Sequence, residues 1–198
     1  MAISIDEIKR LRELTGVGMT DAKKALEAAE GDFDAALKEM RQKGLTKAEK
    51  RGEREARQGI VGTYNHDGRI GVVVEVNCET DFVARNEIFT DLVKDIAMHV
   101  AASAPQYVSA EDIPAEEREA KKQELLASDA LKGKPAEMAE KIVEGQLNKY
   151  FAERCLLDQP FIKNPDQSVG DYVKEHIAKL GENIVVRQFS RIALGEIA

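Results

Sequence analysis

After Gln58 the spacing of apolar residues changes from three-to-four to two, and that change decides the class of fold. Ile70, Val72, Val74 and Val76 set one face against Gly71, Glu75 and Asn77 on the other, the two-residue period of a strand with one buried side. Gly59–Tyr64 and Arg69–Cys78 flank Asn65-His66-Asp67-Gly68, and Asp-Gly between two such runs signals a β-hairpin. Glu182–Leu194 is again β-rich and reads as a further strand of the same sheet. The remaining chain has helical spacing, so the expected class is α+β. Its expected organisation is a three-helix module over 1–45, a basic helical linker over 46–58, and a region over 59–198. That last region holds an antiparallel sheet with helices and a protruding helical hairpin at about 113–157.

The helical module is read from its punctuation. Ser4 and Glu7 have the spacing of a capping box, and Ile5, Ile8, Leu11 and Leu14 follow as an apolar stripe. Gly16-Val17-Gly18 breaks the helix. A second helix from about Met19 sets Ala22, Ala25, Leu26 and Ala29 inward and stops at Gly31. Asp32 then caps a third helix carrying Phe33, Ala36, Leu37 and Met40, which Gly44 ends. Three helices of about ten residues just close a core.

Beyond the hairpin, Ile88, Leu92, Val93, Ile96 and Val100 give a long helix its stripe. Asp112-Ile113-Pro114 opens a charged helical segment to Ala127, and Pro135 starts a helix read to about Leu157. At ~1.5 Å per residue that helix spans roughly 33 Å, with Val143, Leu147, Tyr150 and Cys155 along one side. Pro160 and Pro165 bound a loop. Ser168 starts a last helix, with Val169, Tyr172, Val173, Ile177 and Leu180 on one face and Gly181 at its end.

Several function classes lack their marks. The only Gly-Lys, Gly133-Lys134, is followed by Pro135, so no phosphate-binding P-loop is present, and Gly16-x-Gly18 lacks a third glycine. His66, His99 and His176 are scattered and none stands at metal-ligand spacing from Cys78 or Cys155. No metal, no cofactor and no catalytic residue are expected, and an enzyme is the weaker reading. The two cysteines read as reduced thiols, the first residues carry no secretory pattern, and no apolar run nears the ~18 residues of a membrane span. A cytoplasmic protein off the membrane is expected. The net charge of −7 argues against nucleic acid as the main ligand. From Arg41 to Gln58, however, seven Lys/Arg face three Glu. That stretch reads as a solvated helical linker, with Thr46 and Glu49 as a second capping box, or as a nucleic-acid contact.

Thr80-Asp81-Phe82-Val83 does not look like core. It joins a strand to a helix, where Thr80 or Asp81 can cap the first turn. Phe82 stands beside charged Asp81 and Arg85 and ahead of the apolar stripe. It either folds back onto the sheet or is an exposed aromatic anchor, whose burial by a partner is worth ~1.5–3 kcal/mol.

The run Val76-Asn77-Cys78-Glu79-Thr80-Asp81-Phe82-Val83-Ala84-Arg85-Asn86 resembles the signature of the bacterial translation elongation factor Ts family. So do Leu11-Arg12-Glu13-Leu14-Thr15-Gly16-Val17-Gly18-Met19 with Asp21-Ala22-Lys23-Lys24-Ala25-Leu26, Ile96-Ala97-Met98-His99-Val100-Ala101-Ala102, Gly133-Lys134-Pro135 with Ala139-Glu140-Lys141-Ile142-Val143-Glu144-Gly145, and Gln159-Pro160-Phe161. The resemblance is collinear over essentially the whole chain. It implies a module like a ubiquitin-associated domain, an α/β core and a helical hairpin. It also implies guanine-nucleotide exchange on elongation factor Tu in protein biosynthesis. Thr80, Asp81, Phe82 and Val83 would enter the GTPase domain, with Phe82 as the wedge, disturb the Mg²⁺ site and release GDP. Arg12 and Met19 match a second contact, and His66 at the hairpin tip a third. Longer family members carry two core subdomains, so the resemblance implies a short form completed by homodimerisation. An adaptor that binds RNA or ribosomes is the alternative.

Overall fold

A computed structural model describes residues 3–128 and 135–196, apart from the side chains of residues 45–47, 49 and 136. The α+β class is seen directly, in two compact units: Met1–Ala101 with Asp171–Ala198, and Ala102–Gly170.

The first unit begins with α1 (Ile5–Thr15), α2 (Met19–Ala28) and α3 (Phe33–Glu49). The Ser4 hydroxyl accepts the Glu7 N–H at 3.1 Å while Glu7 Oε2 accepts the Ser4 N–H at 3.0 Å, closing a capping box. Ile8 and Leu11 are buried with Ala22, Ala25, Leu26, Ala36 and Met40, and Phe33, Leu37 and Ala29 pack at the edge. The expected stripe on α1 is only half right. Ile5 is 66% exposed and Leu14 40%. A three-residue step falls 60° short of a full turn of a 3.6-residue helix, so four such positions cover half the cylinder and only the middle two face inward.

Asp32 caps α3 as read, its Oδ1 accepting the Ala35 N–H at 3.0 Å. Gly44 does not end the helix, which runs on to Glu49. A Cβ at Gly44 would come within 3.3 Å of the Ala178 Cβ. The glycine therefore makes room for a close approach to a neighbouring helix, at a cost of about 1 kcal/mol in helix propensity. Thr46 falls inside α3, so no new helix starts there.

The sheet follows, with β1 (Gln58–His66), β2 (Ile70–Cys78) and β5 (Ile184–Ala193) antiparallel in the order β1-β2-β5. Val72, Val74 and Val76 are buried as the alternation requires. The β2–β5 register shifts by one residue between Glu75 and Val76, leaving Arg187 as the bulged position. Gly59 holds φ +145, and a Cβ there would lie 2.2 Å from the Val76 carbonyl oxygen. No side chain fits where β1 crosses the last part of β2.

After the one-turn α4 (Asp81–Ala84) comes α5 (Glu87–Ser103). Its core residues are Phe89, Leu92, Val93, Ile96, Ala97 and Val100, whereas Ile88, expected in the stripe, is 46% exposed. The helix starts at Glu87, with the Asn86 side chain accepting the Ile88 N–H at 2.9 Å. Spacings of three and four then run back from Val100 to Phe89, and Ile88 lies 100° off that line. Ahead of β5 comes α8 (Val169–Leu180), which belongs to this unit from Asp171 on and is terminated by Gly181 at φ +80.

The second unit pairs α6 (Ala115–Leu126) with α7 (Ala136–Ala152) around Ile113, Leu147, Phe151 and Cys155. Gly133 and Lys134, and the connection between the two helices, lie outside the described residues. α7 has 17 residues, about 26 Å, and stops five residues short of Leu157. The backbone N–H groups of Leu156 and Leu157 donate instead to the carbonyls of Tyr107 and Val108, at 2.8 and 3.0 Å. Those acceptors take the donors that would have continued the helix. The stretch read as a loop between Pro160 and Pro165 holds two short strands, β3 (Pro160–Phe161) and β4 (Asn164–Ser168).

Candidate functional site

β2 ends at Cys78, and the chain then turns through Glu79 and Thr80 into α4. Thr80 adopts extended backbone angles (φ −127, ψ 156), and its Oγ1 accepts the Val83 N–H at 3.4 Å as the N-cap. Asp81 sits in the first turn, where the helix dipole favours an acid, and its carboxylate pairs with Arg85 at 3.0 Å. Ala84 is buried and α4 lies against β1 and β2. Phe82 precedes Ala84 by two residues, or 200° around the helix, so it faces the other way. It is 84% exposed. The alternative in which Phe82 folds back onto the sheet is thereby excluded, and Val83 is half-buried at the side.

The tip rests on a polar support from the far end of the unit. Glu182 Oε2 accepts the backbone N–H groups of Glu79 and Thr80 at 3.1 and 3.0 Å, and Oε1 accepts the Thr80 hydroxyl at 2.6 Å. In return the Asn183 N–H donates to Glu79 Oε1 at 2.6 Å. The Asn183 amide also donates to the carbonyls of Arg54 and Gly52, at 2.7 and 3.3 Å. Cys78 is fully buried, its thiol pushed up to about 11 by burial and by the nearby Glu182 carboxylate. Its Sγ points at the Thr80 carbonyl, 3.2 Å away. That environment suits a packed thiol and not a nucleophile.

Glu182 and Asn183 were not found by sequence reasoning. They contribute nothing to a periodic pattern, and their only mark is polarity just after the helix-ending Gly181.

The other expected contact residues sit elsewhere on the same unit. Arg12 is exposed in the last turn of α1, and Met19, 39% exposed, opens α2. Between them Gly16 takes φ +67 and donates to the Arg12 carbonyl at 2.8 Å. His66 is exposed where β1 ends, its Nδ1 hydrogen-bonded to the Tyr64 hydroxyl at 3.1 Å. Asp67 and Gly68 both hold positive φ in the turn that follows. β2 has nine residues between this turn and the tip, so His66 and Phe82 stand at opposite ends of a strand about 27 Å long.

The basic stretch is largely engaged within the chain. Arg41 pairs with Glu175 at 3.6 Å, and Arg51 donates to the Ile177 carbonyl at 3.0 Å. Arg54 lies 3.6 Å from Glu79, and Arg57 pairs with Glu55. Among the described residues no helix is long and apolar enough to cross a membrane.

Comparison with known proteins gives one consistent result. The family model described as elongation factor TS matches residues 8–196. The chain is 54% identical over 196 residues to the elongation factor Ts of Thermodesulfovibrio yellowstonii, covering 99% of this chain and 98% of that protein. It is 50% identical over 197 residues to the elongation factor Ts of Geobacter sulfurreducens, covering 99% and 91%. With the elongation factor Ts of Thermosynechococcus vestitus it shares 56% identity over 196 residues, 98% of this chain but 66% of that longer protein.

Proposed function

The chain belongs to the elongation factor Ts family, and from that premise we propose that it is the guanine-nucleotide exchange factor of elongation factor Tu, acting in the cytoplasm during translation elongation. In this reading the tip Thr80, Asp81, Phe82 and Val83 enters the GTPase domain and disturbs its Mg²⁺ site. Mg²⁺ is the largest positive charge on the bound phosphates, so its displacement loosens GDP. Arg12 and Met19 on the helical module, and His66 at the opposite end of the hairpin, make secondary contacts. The chain needs no catalytic group of its own for this.

Exchange is a coupling free energy between two binding events and must be reciprocal. Whatever factor the chain takes from GDP affinity, GDP takes from the affinity of the chain. The contact works only by favouring the partner conformation in which nucleotide sits badly, since equal affinity for both conformations would shift nothing. What carries the reading is Phe82, a large apolar side chain 84% exposed on a turn whose other face is anchored by Ala84. Stopped-flow release of labelled GDP from the purified GTPase tests it. Release is expected to accelerate with added chain and saturate, and equal rates with and without the chain would overturn the proposal. The basic stretch gives the RNA- or ribosome-adaptor reading little support, because its arginines are largely paired internally.

Homodimerisation is part of the same proposal. The outer face of the sheet leaves Val61 65%, Val73 47% and Ile192 75% exposed, and the strand register puts the three on one side. In this reading a second copy covers that face. Sedimentation at micromolar concentration is expected to give a dimer that Val73→Glu dissociates. A wild-type monomer under those conditions would remove this part of the proposal.

A further inference from the structure

Glu182 lies in the connection between α8 and β5, 102 residues from Thr80 in the chain, yet it receives three hydrogen bonds from the root of the tip. Two come from the backbone N–H groups of Glu79 and Thr80, and the shortest, 2.6 Å, from the Thr80 hydroxyl. Bonds to an ionised acceptor are the strong ones. A hydroxyl has one proton and two lone pairs. With its proton directed at Glu182, Thr80 Oγ1 turns a lone pair toward the Val83 N–H, and that is the bond that caps α4. Glu182 therefore fixes both the backbone entering the tip and the sense of the hydroxyl that starts its helix. The return bonds from Asn183 to Glu79, Gly52 and Arg54 tie the same turn to the segment after α3.

We infer that Glu182 is a positioning residue for nucleotide exchange, holding the Glu79–Thr80 turn in the one geometry that presents Phe82 outward. This rests on the exchange reading above. Glu182 is not part of the contact itself; it acts through Thr80. A tip held in its bound geometry does not have to be ordered when it meets the partner. When only a fraction of molecules is competent, the apparent affinity falls by that fraction while the saturated complex is unchanged. Loss of Glu182 thus differs in kind from loss of the wedge.

The test titrates the full chain against labelled GDP release from the GTPase. Glu182→Ala is expected to raise the half-saturating concentration by on the order of tenfold, with the maximal rate within about twofold of wild type. Glu182→Gln is expected to restore most of the affinity. Its carbonyl oxygen can accept the two N–H groups, and its amide can donate to Thr80 Oγ1. A merely structural role would lower the melting temperature and leave the half-saturating concentration, counted on folded chain, in place. That outcome would overturn the inference, as would a folded Glu182→Ala that titrates like wild type. Should Glu182→Ala not fold, Glu182→Asp, one methylene too short to reach all three donors, carries the same expectation. Wild-type chain run alongside separates the two ideas: if it fails to accelerate release, the exchange reading itself falls.

Discussion

Phe82→Ala is expected to slow chain-stimulated GDP release by on the order of 30- to 160-fold at saturation while leaving the melting temperature of the chain nearly unchanged. Burying a phenylalanine in a partner is worth about 2–3 kcal/mol, and each 1.36 kcal/mol removed from the favoured conformation is a factor of ten in rate. The stability half of the expectation follows from position. At 84% exposure Phe82 contributes little to its own fold, and surface substitutions away from caps and networks stay within about 0.5 kcal/mol. The Thr80–Val83 cap and the Asp81–Arg85 pair do not involve the aromatic ring. Rapid GDP release by Phe82→Ala, equal to wild type, would remove the wedge from the mechanism. A fall of many degrees in melting temperature would instead assign Phe82 to the core.

Seven residues on, the same substitution is expected to do the opposite. Phe89 is fully buried and is the largest of the fully enclosed side chains. Phe89→Ala should cost about 3–5 kcal/mol, the transfer term plus the cavity left between α5 and its surroundings. Against a typical total of about 5–15 kcal/mol that is a large share. It should lower the melting temperature by about 6–20 °C for a chain of this length. Chemical denaturation followed by circular dichroism reads it, and a loss below about 1 kcal/mol would mean that the site collapses around the missing ring. Where Phe89→Ala stays folded, its GDP release should match wild type, because the tip and its polar support are untouched.

The contrast also shows which parts of the molecule local pattern can reveal. Phe82 was legible as unusual because an aromatic stood between two charges at a strand-to-helix turn, but its direction was not. Direction depends on α4 being a single turn with Ala84 inward, which no periodicity over four residues can report. The sheet was legible because Ile70, Val72, Val74 and Val76 keep one face of β2 apolar and an Asp-Gly turn fixes its start, although Val73 breaks strict alternation. Errors fall where local pattern competes with a distant partner. Gly44 looks like a stop until Ala178 is brought against it. The end of α7 yields to carbonyls at Tyr107 and Val108. Ile88 and Phe89 are adjacent apolar residues, and the start of α5 at Glu87 decides between them. Glu182 is the extreme case, since its whole significance lies in three donors a hundred residues away.

The order of the sheet, with β2 between β1 and β5, imposes a schedule on biosynthesis. A ribosome adding ~5–20 residues per second delivers Glu182 about 5–20 s after Thr80. Throughout that interval the nascent polypeptide has a hairpin whose β2 edge is still uncovered and an aromatic point lacking its brace. In the exchange reading proposed above, the product reaches full affinity for its partner only once the segment carrying Glu182 has docked, and until then β2 is an open sheet edge.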